Sequence, residues 1–334
     1  MPVISTPMRG VQITVNCTEH PRHELSAALP HLTKANAHRH VLVLAKEHYE
    51  GWACLGWWAN PRGHFRHMQR LSYSEVVPDE ARADVAYYKR LRCETLLAEP
   101  NCPIYPHLTS VPYLSTVHWP PASNSAATST ELSDSELEGT GRGSSMAGIP
   151  PWAEQGERRY KLLFLGSSHH GDSRVRKLVW DACRKMGAGQ LTDSRRCNLQ
   201  RYSDYTLLMK MQSTFCLEPA GDSPYRRSIA DDISFGCIPV LFSQPQETAY
   251  SWLWHDWRRS ASVHVNRTAF LAGEIDLGLL FATMPEPMLA LMRRTIAQHG
   301  RKFTIALEDD PGDAVHLLLH GAKRAAERFL PSNR

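Results

Sequence analysis

The residues whose types and spacing suit binding chemistry are Glu218, Gly221, Asp222, Ser223, Arg226, Arg227 and Asp231. They fall within FCLEPAGDSPYRRSIADDISFGCIPVLF at positions 215–242. A glycine-containing turn that opens a helix presents unpaired backbone N–H groups, and the helix dipole adds to their attraction for negative charge. Arg226 and Arg227 beside that turn offer charge-assisted contacts to phosphate oxygens. The carboxylate of Glu218, at the end of an apolar run, can accept hydrogen bonds from two ribose hydroxyls. A plainer reading of the same residues is also open. Arg227 and Asp231 are four apart, the spacing of an ordinary surface ion pair, and Asp231-Asp232 reads as a helix-face pair. The pattern is neither a Walker nor a dinucleotide fingerprint.

The elements that must position these groups are legible around them. Thr214–Leu217 is short and apolar enough for a buried strand. Ser223 is the expected N-cap and Pro224 the first helical residue. Tyr225, Ile229 and Ile233 recur every fourth residue and predict one buried helix face. Gly236 closes that helix, and Ile238–Phe242 begins another strand. The same β-loop-α rhythm recurs. Tyr160–Leu165 reads as a strand ending at Gly166, followed by a helix over 173–186 with Val175, Leu178, Val179 and Cys183 on its apolar side. A short helix is expected over 205–212 and a strand at Ala261–Val265. A helix over 285–299 carries Met288, Leu289, Leu291, Met292 and Ile296, and a last helix over 311–329 carries Val315, Leu318, Leu319, Ala322 and Phe329. Upstream, residues 1–40 are weakly patterned, His40–Ala45 reads as a strand, and 79–98 suits a helix. Strands alternating with helices imply an α/β fold with a parallel sheet covered on both faces, binding ligands beyond the carboxyl ends of its strands.

Residues 120–157 are dominated by Ser, Thr, Gly, Pro, Ala and Glu, the composition of a linker. The expected division is therefore an N-terminal unit over 1–119, which the resemblance described below makes the acceptor side, the linker, and a ligand-binding unit over 158–330. A net charge of +4 spread over 334 residues, with no basic tract, argues against a nucleic-acid partner. No apolar run approaches the ~20 residues that span a bilayer, and no signal peptide is visible. No CxxC pair is present, so no metal site is expected. Cys183–Cys197 and Cys93–Cys102 are short-range disulfide candidates, whereas Cys216 and Cys237 read as packed thiols. Trp252, Trp254 and Trp257 read as packing residues before sugar-stacking ones.

The stretch resembles the signature of the exostosin family of glycosyltransferases. The carrying residues are Phe215-Cys216-Leu217, Pro219-Ala-Gly221-Asp222-Ser223, Arg226-Arg227, Asp231 and Gly236-Cys-Ile-Pro-Val240. The flanks agree, with Gly166, Arg174 and Arg176 upstream and Asp313-Ala314 opening the last helix. In the first half, Trp57-Trp58-Ala-Asn60 and His64-Phe65 resemble the family's Trp-Asn…Asp-His-Phe stretch, although Gly63 replaces its Asp. Val111-Pro-Tyr113 with Ser115 and His118 is similar to the piece that closes its first domain. The resemblance implies two Rossmann-like domains facing across a cleft (GT-B type), the first shortened. It implies inverting transfer of a sugar from a UDP-sugar co-substrate to a hydroxyl of a glycan or glycoprotein acceptor, with no cofactor and no required metal. A Golgi or endomembrane lumen and a homo- or hetero-oligomer accompany it. Glu218, Gly221, Asp222, Ser223, Arg226, Arg227 and Asp231 become the donor site. The base that takes the acceptor proton is not identified, with His64, His118 and Asp172 as candidates beside His169 and His170. Two alternatives stand beside this reading. One is a catalytically inactive relative that binds nucleotide-sugar or glycan as a partner subunit. The other is a phosphate-ester hydrolase built on the His169-His170 loop.

Overall fold

The structure is a computed structural model that describes residues 3–8, 11–16, 30–33, 35–44, 68–73, 108–113, 115, 118–119, 150, 152, 158–168, 171–185, 195–197, 204–221, 224–306 and 310–327. Its organising layer is a five-stranded, all-parallel sheet. The strands are β6 (Tyr160–Phe164), β7 (Arg195–Cys197), β8 (Ser213–Glu218), β9 (Ile238–Leu241) and β10 (Val263–His264). They lie in the order β10-β9-β8-β6-β7. A second parallel sheet joins β3 (Val41–Leu44), β4 (Gln69–Ser72) and β5 (Leu108–Ser110). An antiparallel pair, β1 (Val3–Met8) and β2 (Val11–Asn16), occupies a region whose sequence shows little pattern. The α/β fold with parallel sheets is as the sequence implies.

Both central strands are buried along their whole length, which is why they read as continuous apolar runs rather than alternating ones. Helices cover them: α1 (Ser173–Lys185), α2 (Asp204–Met211), α3 (Arg227–Ser234), α4 (Gln244–Thr248), α5 (Ser251–Trp254), α6 (Arg267–Leu271), α7 (Leu277–Ala282), α8 (Glu286–His299) and α9 (Ala314–Glu327). On α3, Ile229 and Ile233 are fully buried beside Tyr225, each isoleucine contributing about 1.5–3 kcal/mol of transfer free energy. Gly236 ends the helix at φ 66°, and a Cβ there would lie 2.7 Å from Cδ2 of Trp152.

Some sequence expectations need correction. The helix begins at Arg227, not Pro224. Arg226 bonds the Pro219 carbonyl through Nη1 at 3.2 Å and lies 3.3 Å from Glu218, and these contacts keep residues before Arg227 out of the helix. Cys216 and Cys237 are not packed thiols but a disulfide, because parallel β8 and β9 bring their Cα atoms to 5.8 Å. Cys183 is also disulfide-bonded. On α8 only Leu289, Met292 and Ile296 of the proposed stripe are buried. Met288 and Leu291, one residue back and so about 100° round the helix, are exposed. Leu178, Val315 and Leu319 are likewise exposed on flanks of their helices. The helix proposed over 79–98 and most of the 120–157 stretch lie outside the described residues.

Residues 108–119 lie against the five-stranded unit. Ser110 Oγ accepts from Tyr250 N at 2.7 Å, and Ser115 Oγ donates to Asp231 Oδ1 at 2.7 Å. Trp119 precedes the 120–157 stretch and Trp152 lies within it, yet both donate their indole N–H to the Ser234 carbonyl, at 3.0 and 2.7 Å.

Candidate donor-binding site

Strand order decides where a ligand can sit. From β6 the chain runs outward to β7, then returns past β6 to β8 and continues the other way through β9 to β10. The direction of winding reverses between β6 and β8, and parallel α/β sheets bind ligands in the crevice beyond the carboxyl ends of the strands at such a point. The loops leaving these two strands are residues 165–172 and 219–226, the second of which holds the motif residues.

The two loops are tied to each other. Gly171 adopts φ +68°, and a Cβ on it would stand 2.5 Å from the Gly221 Cα and closer still to the Gly221 carbonyl. Only glycine allows this approach. Asp172 N donates to the Ala220 carbonyl at 3.3 Å. Arg176, buried on α1, donates from Nε to Ser167 O at 2.5 Å and from Nη1 to Pro219 O and Ala220 O at 3.3 and 3.4 Å. One guanidinium thus bridges both loops beneath the crevice.

Two further arginines stand at the start of α3. Arg226, the N-cap of α3, reaches Ser228 Oγ at 3.2 Å and Glu218 Oε2 at 3.3 Å. Arg227 keeps 37% of its side chain exposed, with Nε 3.9 Å from Asp231 Oδ2. This is the four-residue pair that spacing suggested, but it is not a surface pair, since Asp231 is fully buried and also holds Ser115.

Behind the loop lies a buried charge cluster that the sequence did not disclose. Lys210 on α2 is 1% exposed and donates to Asp232 Oδ1 and, at 3.1 Å, to Ser228 O. Its Nζ is 3.5 Å from Glu218 Oε1, while Ser228 Oγ donates to Glu218 Oε2. Burial lowers the Lys210 pKa, but Asp232 and Glu218 more than offset it and raise it above the ordinary lysine value. Burial pushes Glu218 up, yet Lys210, Arg226 and the Ser228 hydroxyl outweigh that and hold it below the usual carboxylate range. Burial pushes Asp232 well above that range, beyond what Lys210 returns, with Glu218 adding to the rise. Among the described residues Asp232 Oδ2 has no hydrogen-bond partner.

The remaining candidates separate. His118 is exposed, and its Nδ1 is 2.6 Å from the Ile305 carbonyl. A carbonyl only accepts, so Nδ1 carries the hydrogen and Nε2 is left as an acceptor. Asp172 is engaged by Arg267, with Nε 2.6 Å from Oδ2 and Nη2 3.3 Å from Oδ1. Asp222, Ser223, His64, His169 and His170 lie outside the described residues. Trp254 and Trp257 are buried, each donating to a backbone carbonyl, and Trp252 packs on the core, so the packing reading holds for them. Cys216, Asp232 and Cys237 bring ligand-type atoms within 4.8 Å of one another, but the two sulfurs are bonded to each other and offer no thiolate.

Comparison with known proteins shows what the chain is similar to. Residues 147–272 match the model of the exostosin GT47 domain. The match runs from before β6 through α6 and includes both crevice loops. Among curated relatives, the probable xyloglucan galactosyltransferase GT13 of Arabidopsis thaliana is 36% identical over 149 residues, 42% of this chain and 31% of its own. The xyloglucan-specific galacturonosyltransferase 1 of the same plant is 32% identical over 120 residues, 33% of this chain and 17% of its own. The chain thus spans under a third of the length of these two relatives. The solved GtfA/B complex aligns over 91% of this chain and 60% of its own with 8% identity and a TM-score of 0.41, a likeness too slight to argue from. The placement of the candidate site rests on the strand order and the loops.

Proposed function

We propose that this chain is a glycosyltransferase whose exostosin GT47 domain binds a UDP-sugar at the crevice between β6 and β8, for inverting transfer to a glycan hydroxyl. The observation that carries this reading is the coincidence of the Gly171–Gly221 loop junction, Arg226 and Arg227 at the point where the sheet reverses its winding. The diphosphate lies against the backbone of the Gly221 loop and the start of α3, with Asp222 and Ser223 in that loop. Arg227 and Arg226 neutralise the charge that builds as the nucleoside diphosphate leaves, a role that fixed cations and aligned N–H groups perform without reorganising.

Glu218 receives the ribose hydroxyls. Its acceptor positions are taken by Lys210, Ser228 and Arg226. Arg226 is the partner the donor draws off, since its side chain is 21% exposed against 1% for Lys210. Its move to the diphosphate frees Glu218 Oε2, so ribose and diphosphate binding are coupled through one guanidinium.

His118 is the base we assign to the acceptor hydroxyl, with Nδ1–H held by Ile305 O and Nε2 open. Asp172, spent on Arg267, is the weaker candidate. The disulfide between Cys216 and Cys237 supports an oxidising compartment such as an endomembrane lumen. Among the described residues no helix is long and apolar enough to cross a membrane.

The test is a donor panel. Relatives are named for galactosyl and galacturonosyl transfer to xyloglucan, so UDP-galactose and UDP-galacturonate with a xyloglucan oligosaccharide head the panel. Acceptor-dependent UDP release is expected. Absence of both UDP binding and UDP release across the panel would overturn the reading, and binding without turnover would restrict it to a donor-binding partner.

A further inference from the structure

Lys210 sits where a lysine is costly. Its ammonium is 1% exposed in a helix packed beneath β8 and α3, and burying such a charge costs several kcal/mol unless partners are held in place. Asp232 Oδ1 already accepts from it. Yet the same ammonium also lies 3.5 Å from Glu218 Oε1 and donates to the carbonyl of Ser228, whose hydroxyl donates to Glu218 Oε2. The two oxygens of one carboxylate are therefore held by groups that are themselves linked. Glu218 is the last residue of β8, 4% exposed, at the mouth of the crevice.

We propose that Lys210 and Ser228 are positioning residues that clamp Glu218, one at each oxygen, so that its carboxylate is fixed in charge and direction to receive the vicinal hydroxyls of the donor's ribose. This rests on the ribose assignment for Glu218 made above. Neither residue touches the donor. Lys210 acts on the far oxygen from inside the core, and Ser228 acts from the first turn of α3, the helix whose start also carries Arg227. The clamp gives the chain selectivity for a ribonucleoside over a sugar lacking the diol, because a preset carboxylate rejects a ligand that leaves its lone pairs unmatched.

The experiment compares affinity for UDP and for 2′,3′-dideoxyuridine diphosphate by calorimetry, in the wild-type chain and in Lys210→Met. Wild type should prefer UDP by about tenfold or more, the worth of a charge-assisted hydrogen bond. In Lys210→Met the preference should collapse to within about twofold while affinity for the dideoxy compound changes little, since its contacts do not use the carboxylate. A purely structural role would weaken both ligands alike and leave the ratio standing, which would overturn the clamp. Should Lys210→Met fail to fold, Ser228→Ala carries the same measurement, and retention of the full ratio there overturns it too. In a Glu218→Gln background, Lys210→Met should no longer alter the ratio. If wild type itself does not distinguish the two ligands, the ribose assignment fails and the clamp with it. A wild-type preference that survives in Lys210→Met and in Ser228→Ala overturns the clamp alone.

Discussion

Gly171 and Gly221 meet backbone to backbone at the point where the parallel sheet reverses its winding, closer than any side chain on Gly171 would permit. This junction is what turns two neighbouring strand-end loops into one crevice wall. It predicts that Gly171→Ala is destabilising out of proportion to its size. The φ of +68° costs about 1–2 kcal/mol for alanine, and the overlap with Gly221 forces the two loops apart. Thermal unfolding should show a clear fall in Tm, and UDP affinity should fall with it. An unchanged Tm would mean the loops are not joined as described.

The Cys216–Cys237 bond closes a 21-residue span that includes Glu218, both arginines and all of α3. Opening it should cost about 3 kcal/mol on the loop-entropy estimate. Urea unfolding of the Cys216→Ser/Cys237→Ser double variant should show the midpoint shifted down by a corresponding amount. Equal midpoints for variant and wild type would contradict the bond.

Asp232 makes a prediction in pH. Its folded pKa lies above its ordinary value of 3.8, so the folded chain holds a proton that the unfolded chain releases. That contribution is fully present below the ordinary value and is lost as pH rises through the folded one. The groups facing it are Lys210 from α2, Glu218 from β8 and Asp231 beside it on α3. Asp232→Asn removes the titration. The Tm of Asp232→Asn minus that of wild type should therefore grow more positive as pH rises from about 4 towards neutrality. A difference that shrinks over that range would place the proton elsewhere.

His118 should separate binding from turnover. His118→Gln is expected to leave UDP affinity near wild type while lowering acceptor-dependent UDP release by about 10²–10⁴-fold, the usual worth of a general base. Full turnover in that variant would remove His118 from the role, and lost UDP affinity would make it a donor contact instead.

Much of the five-stranded unit was legible because its signals are local. Buried parallel strands announce themselves as short apolar runs, and the Tyr225-Ile229-Ile233 spacing marks the buried face of α3. The start of α3 was misplaced since Pro224 is a good first helical residue, but Arg226 is held extended by a carbonyl and a carboxylate that are distant in register. Lys210 was invisible for a related reason. Nothing in DYTLLMKM marks the lysine as inward-facing, because its partners Asp232, Glu218 and Ser228 come from other elements. The disulfide depended on β8 and β9 being neighbours, a tertiary fact. The reversal between β6 and β8 is a property of strand order, which local periodicity does not encode.

The most direct measurement of the central claim is calorimetric titration of UDP into wild-type, Arg227→Ala and Asp172→Ala protein. Arg227 is the first residue of α3 and keeps 37% of its side chain exposed, whereas Asp172 is engaged by Arg267. Loss of one charge-assisted phosphate contact should weaken UDP binding by about 1.5–3 kcal/mol in folded Arg227→Ala, and Asp172→Ala should weaken it less. Unchanged UDP affinity in folded Arg227→Ala would contradict the placement of the donor between β6 and β8.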